Sequence, residues 1–124
     1  MDITEALFFD NAPEALPLYG AVREMILSGC AGAGLRVQKT QITFHGRHVF
    51  ACVSLPRRKV RDNADAHIIV TLGLGRRVDD PRVWRSVEPY PGRWTHHVIV
   101  KSIDEADGQL NGWIREAYLF SETK

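Results

Sequence analysis

Four side chains in the middle of the chain are of the types that bind anions. They are Lys39, Arg82, Arg93 and His96. Each is predicted to lie at the edge of a strand or in the long loop facing one. A guanidinium can donate two parallel hydrogen bonds to a phosphate or carboxylate. The four are therefore candidates for one anion-binding pocket. The alternative is that Arg82 pairs with Asp79 or Asp80 inside its own loop and that Lys39 is solvated.

A second candidate surface combines basic and aromatic side chains. It consists of Arg57, Arg58, Lys59, Trp84 and Trp94. Basic runs bind phosphates by neutralising charge, without reading sequence, and aromatic rings beside arginines can stack on bases. The alternatives are a solvated basic loop and rings that only hold the long loop against the sheet.

The charges are sorted along the chain. Residues 36–101 contain thirteen Lys and Arg against five Asp and Glu, a net charge of +8, whereas the segments before and after carry −4 and −3. The net charge of +1 thus hides a basic centre between two acidic ends. Because a basic surface concentrates anions, an acidic partner such as nucleic acid is the first to consider.

No arrangement of residues predicts a catalytic centre, a cofactor or a metal. His96 shares a strand face with Val98 and Val100, whereas His97 points the other way, so the two cannot chelate one ion. His45 and His48 lack a third ligand. Cys30 and Cys52 are isolated and are expected to be reduced. Whether the chain is an enzyme stays open, and its catalytic residues stay unknown.

The totals indicate an ordinary globular protein. The 124 residues are expected to form a single domain, 1–124, with no membrane-spanning segment and a cytoplasmic location.

Helices are predicted at both ends of the chain. Residues 2–9 form a short helix whose Leu7, Phe8 and Phe9 need cover, and residues 13–28 carry apolar side chains at helical spacing. Near the C-terminus, Ser102 and Glu105 fit a capping box that opens the last helix. Gly112 lies beside Trp113, so close packing is one reason for a glycine there.

Strands are predicted between the helices. They cover residues 37–45, 49–55, 67–74 and 93–101, and the segment 75–92 is expected to be irregular. Consecutive strands joined by short turns favour an antiparallel sheet. The predicted fold class is α+β, with about four to five strands and the terminal helices packed on one face.

Short segments through most of the chain resemble domain-of-unknown-function family 5655. The segments are KTQITF at 39–44, FACVSLP at 50–56, LGL at 72–74, DDPR at 79–82, GRWTH at 92–96 and IREAY at 114–118, with Leu18 and Tyr19. The resemblance implies a compact α+β module, known in bacteria, without an assigned activity. Some members of that family adjoin nuclease-like domains or bear the label "predicted transport protein", and neither label transfers to this chain.

Three hypotheses for function remain. The first is a binding module whose basic surface takes an anion, either nucleic acid or a phosphorylated small molecule. The second is a small enzyme that uses His96 as acid or base on an anionic substrate. The third is a structural domain that packs against a second copy to form a homodimer.

Overall fold

Three helices and six strands make up the chain in this computed structural model, which describes residues 1–56 and 67–123. The helices are α1 (Ile3–Phe8), α2 (Leu16–Gly29) and α3 (Gly108–Glu122). The strands are β1 (Gly34–Val37), β2 (Ile42–His45), β3 (Val49–Ser54), β4 (Ile68–Leu74), β5 (Val83–Tyr90) and β6 (Arg93–Val100). Short 3-10 turns at Pro13–Ala15 and Ile103–Glu105 precede α2 and α3.

The strands form one antiparallel sheet in the order β1-β2-β3-β4-β6-β5. The α+β antiparallel class is confirmed, but the prediction of four to five strands is wrong. One extra strand is found where a single strand was predicted at 37–45, because β1 ends at Val37 and β2 begins at Ile42. Between them, the Gln38 N–H donates to the Gln41 carbonyl at 2.8 Å, which turns the chain.

The other extra strand, β5, lies in the segment expected to be irregular. Its eight residues pair with β6 on one side only and are interrupted by two register shifts. Most of them are exposed, so β5 needs no alternation of apolar and polar residues. An edge strand of this kind leaves little trace in a hydrophobic pattern.

Helices α2 and α3 cover one face of the sheet, which we call the inner face. Its strand residues include Ile42, Phe44, Val53, Val70 and Val98, all buried. Leu110, Trp113, Ile114 and Ala117 of α3 are buried in the same core, as the helical spacing predicts. Ile103 lies outside this helix, in the preceding 3-10 turn, and is exposed.

The opposite face, which we call the outer face, follows from strand alternation and register. Its strand residues include Gly34, Arg36, Thr43, His45, Val49, Cys52, Ser54, Ile69, Thr71, Gly73, Arg85, Val87, Arg93, Thr95, His97 and Ile99. A Cβ atom added to Gly73 would meet no described atom within 4 Å, so the described chain leaves the surface above this glycine open.

A buried ion pair joins α1 to α2. Glu5 is 2% exposed, accepts a hydrogen bond from the Tyr19 hydroxyl, and lies 2.7 Å from the Nε of Arg23. The Tyr19 ring packs between Phe9 and Phe44, at centroid distances of 4.8 and 6.5 Å. The N-terminal helix therefore docks on the core as expected, although Leu7 is exposed.

Two capping devices precede the last helix. The capping box of Ser102 and Glu105 is present, but it opens the 3-10 turn rather than α3. Helix α3 has its own N-cap, Asp107, whose side chain accepts a hydrogen bond from the Leu110 N–H at 3.0 Å. The packing reason for Gly112 is wrong, because Gly112 is exposed and an added Cβ would meet no described atom within 4 Å.

Replacing Gly112 by alanine is expected to stabilise the protein. Glycine in a helix interior costs about 1 kcal/mol relative to alanine, and the site has room for a methyl group. Urea unfolding should show the gain. Gly108→Ala is the matched control, since Gly108 begins α3 and should gain less; a loss of stability in Gly112→Ala would contradict the prediction.

Glu5→Gln is expected to remove a pH-dependent part of the stability. Burial opposes ionisation of Glu5, but hydrogen bonds from Arg23 and Tyr19 outweigh burial and hold its pKa below the ordinary 4.5. A carboxyl whose pKa is lowered by folding adds stability that is present above its unfolded pKa and is lost as the pH falls through the folded value.

Urea unfolding at pH 7 and at pH 3 measures this contribution. The variant should be less stable than the wild type at pH 7 and should lose less stability on acidification. Glu14→Gln changes an exposed carboxylate and should behave like the wild type. If Glu5→Gln loses as much as the wild type between the two pH values, Glu5 is not the titrating group.

Candidate functional site

The permanently charged residues at the strand positions given above for the outer face are all arginines. Arg36 and Arg85 stand at the two edges of the sheet, in β1 and β5, and none of the positions given above for this face is Asp or Glu. Carboxylates that repel an anion are thus missing from the strand positions where an anion would lie.

One row of side chains crosses the whole sheet on this face. By register it consists of Arg36, Thr43, Cys52, Thr71, His97 and Arg85, one from each strand. Neighbouring strands lie about 4.8 Å apart, so the row spans about 24 Å. All six side chains of the row are polar or weakly polar, and the row has an arginine at each end. The row therefore places polar groups from one edge of the sheet to the other.

A groove of about 710 Å³ lies at one end of this face. Thr71, His97, Ile69 and Ser54 form its floor, and Trp84 with Arg85 form one wall. The remaining lining residues are Phe8, Lys39, Thr40, Gln41, Leu55 and Pro56. Among the described residues, the lining thus contains two permanent cations, one histidine and no carboxylate.

His97 is held on the groove floor by a polar and an aromatic neighbour. Its Nδ1 lies 3.0 Å from the Thr71 hydroxyl, and its ring meets the Trp84 ring edge-to-face at 6.4 Å. Burial and the charge of Arg85 both lower the pKa of His97, so the ring is neutral at neutral pH. A neutral, anchored imidazole can serve a ligand as donor or acceptor through its second nitrogen.

A smaller pocket of about 360 Å³ lies along β1 and β2 on the same face. Its basic lining residues are Arg36, His45, Arg47 and His48. Its other lining residues are Gln38, Gln41, Thr43, Gly46 and Val49. The described lining of this pocket also contains no carboxylate, and Gln41 lines both the pocket and the groove. We call it the hairpin pocket because it ends at the β2–β3 turn.

Arg82 lies on the helix side of the molecule. Its Nη1 is 2.9 Å from the Asp107 carboxylate and 3.0 Å from the Gln109 side-chain oxygen, and its Nη2 is 2.5 Å from the Glu105 carbonyl. The guanidinium also lies over the Trp113 ring, 5.8 Å from its centre. Arg82 therefore links the start of β5 to the N-terminus of α3.

The other three residues of the predicted pocket lie apart from Arg82 and from one another. Lys39 lines the groove on the outer face. His96 is 1% exposed on the inner face, and its Nε2 accepts a hydrogen bond from the Val78 N–H at 2.9 Å. Arg93 pairs with Tyr90 at the turn that joins β5 to β6. The structure does not bring the four together.

The second candidate surface is also divided. Trp84 is 53% exposed and lines the groove. Trp94 lies near the start of β6 and pairs with Leu74. The Arg77 guanidinium lies 5.8 Å from the centre of the Trp94 ring. Arg57, Arg58 and Lys59 lie outside the described residues, so their position relative to the groove stays a prediction.

Neither a metal site nor a membrane span is present among the described residues, 1–56 and 67–123. No group of three or more His, Cys, Asp or Glu in these ranges is placed to hold a metal ion. No helix in the same ranges has the length and apolar content needed to cross a membrane. Cys30 and Cys52 are free thiols, and burial raises the pKa of both.

Sequence reasoning missed Arg85, Thr71 and His97. Arg85 escaped because its strand was taken for a loop. The opposite facing of His96 and His97 was predicted, but without the strand order nothing indicated that His97 would meet Thr71 and Arg85. The predicted strands contain no Asp or Glu on either face, so the distribution of acidic residues did not single out the outer face.

Comparison with known proteins gives a family match over most of the chain. Residues 4–121 match the family model described as Domain of unknown function (DUF5655). No curated protein and no solved structure matches the chain.

Arg82→Ala is expected to destabilise the protein more than Arg76→Ala. The Arg82 side chain is 17% exposed and hydrogen-bonded to three residues, whereas Arg76 is 58% exposed and bonded to Glu116 alone. Removing the Arg82 side chain should lower the free energy of unfolding by about 1–3 kcal/mol, because its hydrogen bonds are charge-assisted and partly shielded from solvent. Removing the Arg76 side chain should lower it by about 1 kcal/mol or less.

Thermal and urea unfolding of the two variants measure the difference, and Arg76→Ala serves as the matched control for loss of one ion pair to α3. Equal stabilities would mean that Arg82 is as dispensable as a surface arginine.

Proposed function

The chain belongs to the family described as Domain of unknown function (DUF5655), and we propose that it is a binding module for an anionic ligand held on the outer face of its sheet. The ligand is nucleic acid or a phosphorylated small molecule. The observation that carries the proposal is the groove beside Trp84, whose lining within 1–56 and 67–123 combines Lys39, Arg85 and His97 with no carboxylate.

The way that the arginines are paired supports this assignment. The ion pairs of the described residues are Arg23–Glu5, Arg76–Glu116 and Arg82–Asp107, and each takes its carboxylate from a helix or a helix cap. Lys39 and Arg85 form no ion pair within 1–56 and 67–123. Cations that have no ion-pair partner in the described part of the chain favour an external anion.

The chemistry of the groove suits a phosphate. Arg85 can bind two phosphate oxygens at once, and Lys39 adds a point charge from the facing side. His97 and the Thr71 hydroxyl offer hydrogen bonds on the floor between them. A volume of about 710 Å³ falls within the usual range for small-ligand sites, which is about 300–1,000 Å³.

The alternative of an enzyme that uses His96 has weaker support. His96 is buried on the inner face and its Nε2 is occupied by the Val78 N–H. Burial, the main cause, lowers the pKa of His96, so the ring stays neutral within the core. The histidine that faces the groove is His97.

The direct test is an NMR titration of the ¹⁵N-labelled protein with pyrophosphate at low salt. Pyrophosphate should shift the amide signals of Lys39, Thr71, Arg85 and His97. The double variant Lys39→Ala/Arg85→Ala should bind about tenfold more weakly or worse, because it loses charge-assisted hydrogen bonds.

Arg115→Ala is the matched control, since Arg115 is an exposed arginine of α3 on the other side of the molecule. It should bind pyrophosphate like the wild type. The proposal fails if pyrophosphate shifts no groove signals, or if Arg115→Ala weakens binding as much as the double variant.

A further inference from the structure

We propose that the ligand is a single-stranded nucleic acid that lies along the outer face from the hairpin pocket to the groove. The inference rests on the proposed function and adds the class and the extent of the ligand. It starts from the adjacency of the two pockets, which share the lining residue Gln41. We call the two adjoining pockets together the track.

The length of this track exceeds the size of one phosphorylated small molecule. The row from Arg36 to Arg85 alone crosses six strands, which is about 24 Å at the usual strand spacing. A stacked strand advances about 3.4 Å per nucleotide, so the row matches about seven nucleotides, and fewer when the strand is extended.

Positively charged side chains occur at intervals along the track, as the binding of successive phosphates requires. Arg47 and Arg36 line the hairpin pocket, and Lys39 and Arg85 line the groove. The Arg47 N–H donates to the Glu122 carboxylate at 3.4 Å, but no ion pair of the described residues involves its guanidinium. Four separated cations, with no carboxylate among the described residues of either lining, fit a polyanion better than a single phosphate.

Trp84 distinguishes a single strand from a duplex. Its ring is 53% exposed, and the edge-to-face contact with His97 supports it at the groove wall. A fixed, exposed indole can stack on an unpaired base, and every base has a face for this contact. In a duplex the base faces are covered by neighbouring pairs, so Trp84 would have nothing to stack on.

The test is fluorescence anisotropy with labelled ten-nucleotide oligomers, oligo(dT) and oligo(rU), compared with a ten-base-pair duplex at matched salt. Both single strands should bind more tightly than the duplex and more tightly than pyrophosphate does in the NMR titration. Trp84→Leu should weaken binding of the single strands about tenfold, as expected for the loss of one stacked base. Tyr90→Leu removes an exposed ring at the β5–β6 turn and should not.

Arg36→Ala separates this inference from the proposed function. Arg36 lines the hairpin pocket but not the groove, so the variant should bind pyrophosphate normally and the oligomers more weakly. The slope of log affinity against log salt should fall by about 0.7 for each phosphate that the variant no longer neutralises. Arg115→Ala should change neither property, and all variants should melt like the wild type.

Three results would overturn the inference. They are a duplex that binds as tightly as the single strands, an oligomer affinity that Arg36→Ala leaves unchanged, and an oligomer affinity no greater than that of pyrophosphate. If pyrophosphate still shifts the groove signals in any of these cases, the proposed function stands without the extended ligand. If pyrophosphate binds nowhere near the groove, the proposed function falls as well.

Discussion

Burial of the inner face of the sheet is the constraint on which the rest of the structure depends. Val53, Val70 and Val98 lie in neighbouring strands and are fully buried beneath the helices. Because side chains alternate, fixing these residues inward fixes Cys52, Thr71 and His97 outward, and a slip of one residue would exchange the two sets. The arrangement of the outer face is thus set by packing on the other side of the same strands.

Acids and bases are distributed between the two layers in a way that follows from the order of the chain. The helices come from its acidic ends, and the sheet comes from its basic centre. Cations that approach the helices, such as Arg76 and Arg82, find carboxylates there. Within 1–56 and 67–123, cations at the outer face, such as Arg85, form no ion pair. The placement of these unpaired cations therefore results from topology as well as from composition.

Much of the architecture could be predicted from the sequence, because it depends on local signals. Alternation identified the pairs Ile42 and Phe44 in β2 and Val98 and Val100 in β6 as residues that share a face, and the structure buries all four. Strand β5 could not be found this way. It is an exposed edge, and its stability comes from pairing with β6, which is a property of two segments and not of one.

The site was harder to predict than the fold for the same reason. Lys39 and Trp84 were chosen for their chemistry and do line the groove. Arg82 was chosen on the same grounds, yet its partners Asp107 and Gln109 are distant in the sequence, so its engagement with α3 could not be foreseen. The groove itself depends on β6 lying between β4 and β5, an order that no local pattern specifies.

The two register shifts in β5 also affect how the molecule meets its neighbours. They interrupt the regular ladder, and Pro89 and Glu88 stand in the last part of the strand, where one has no N–H to donate and the other carries charge. Such an edge is a poor template for a strand from another molecule, which protects against intermolecular sheet growth.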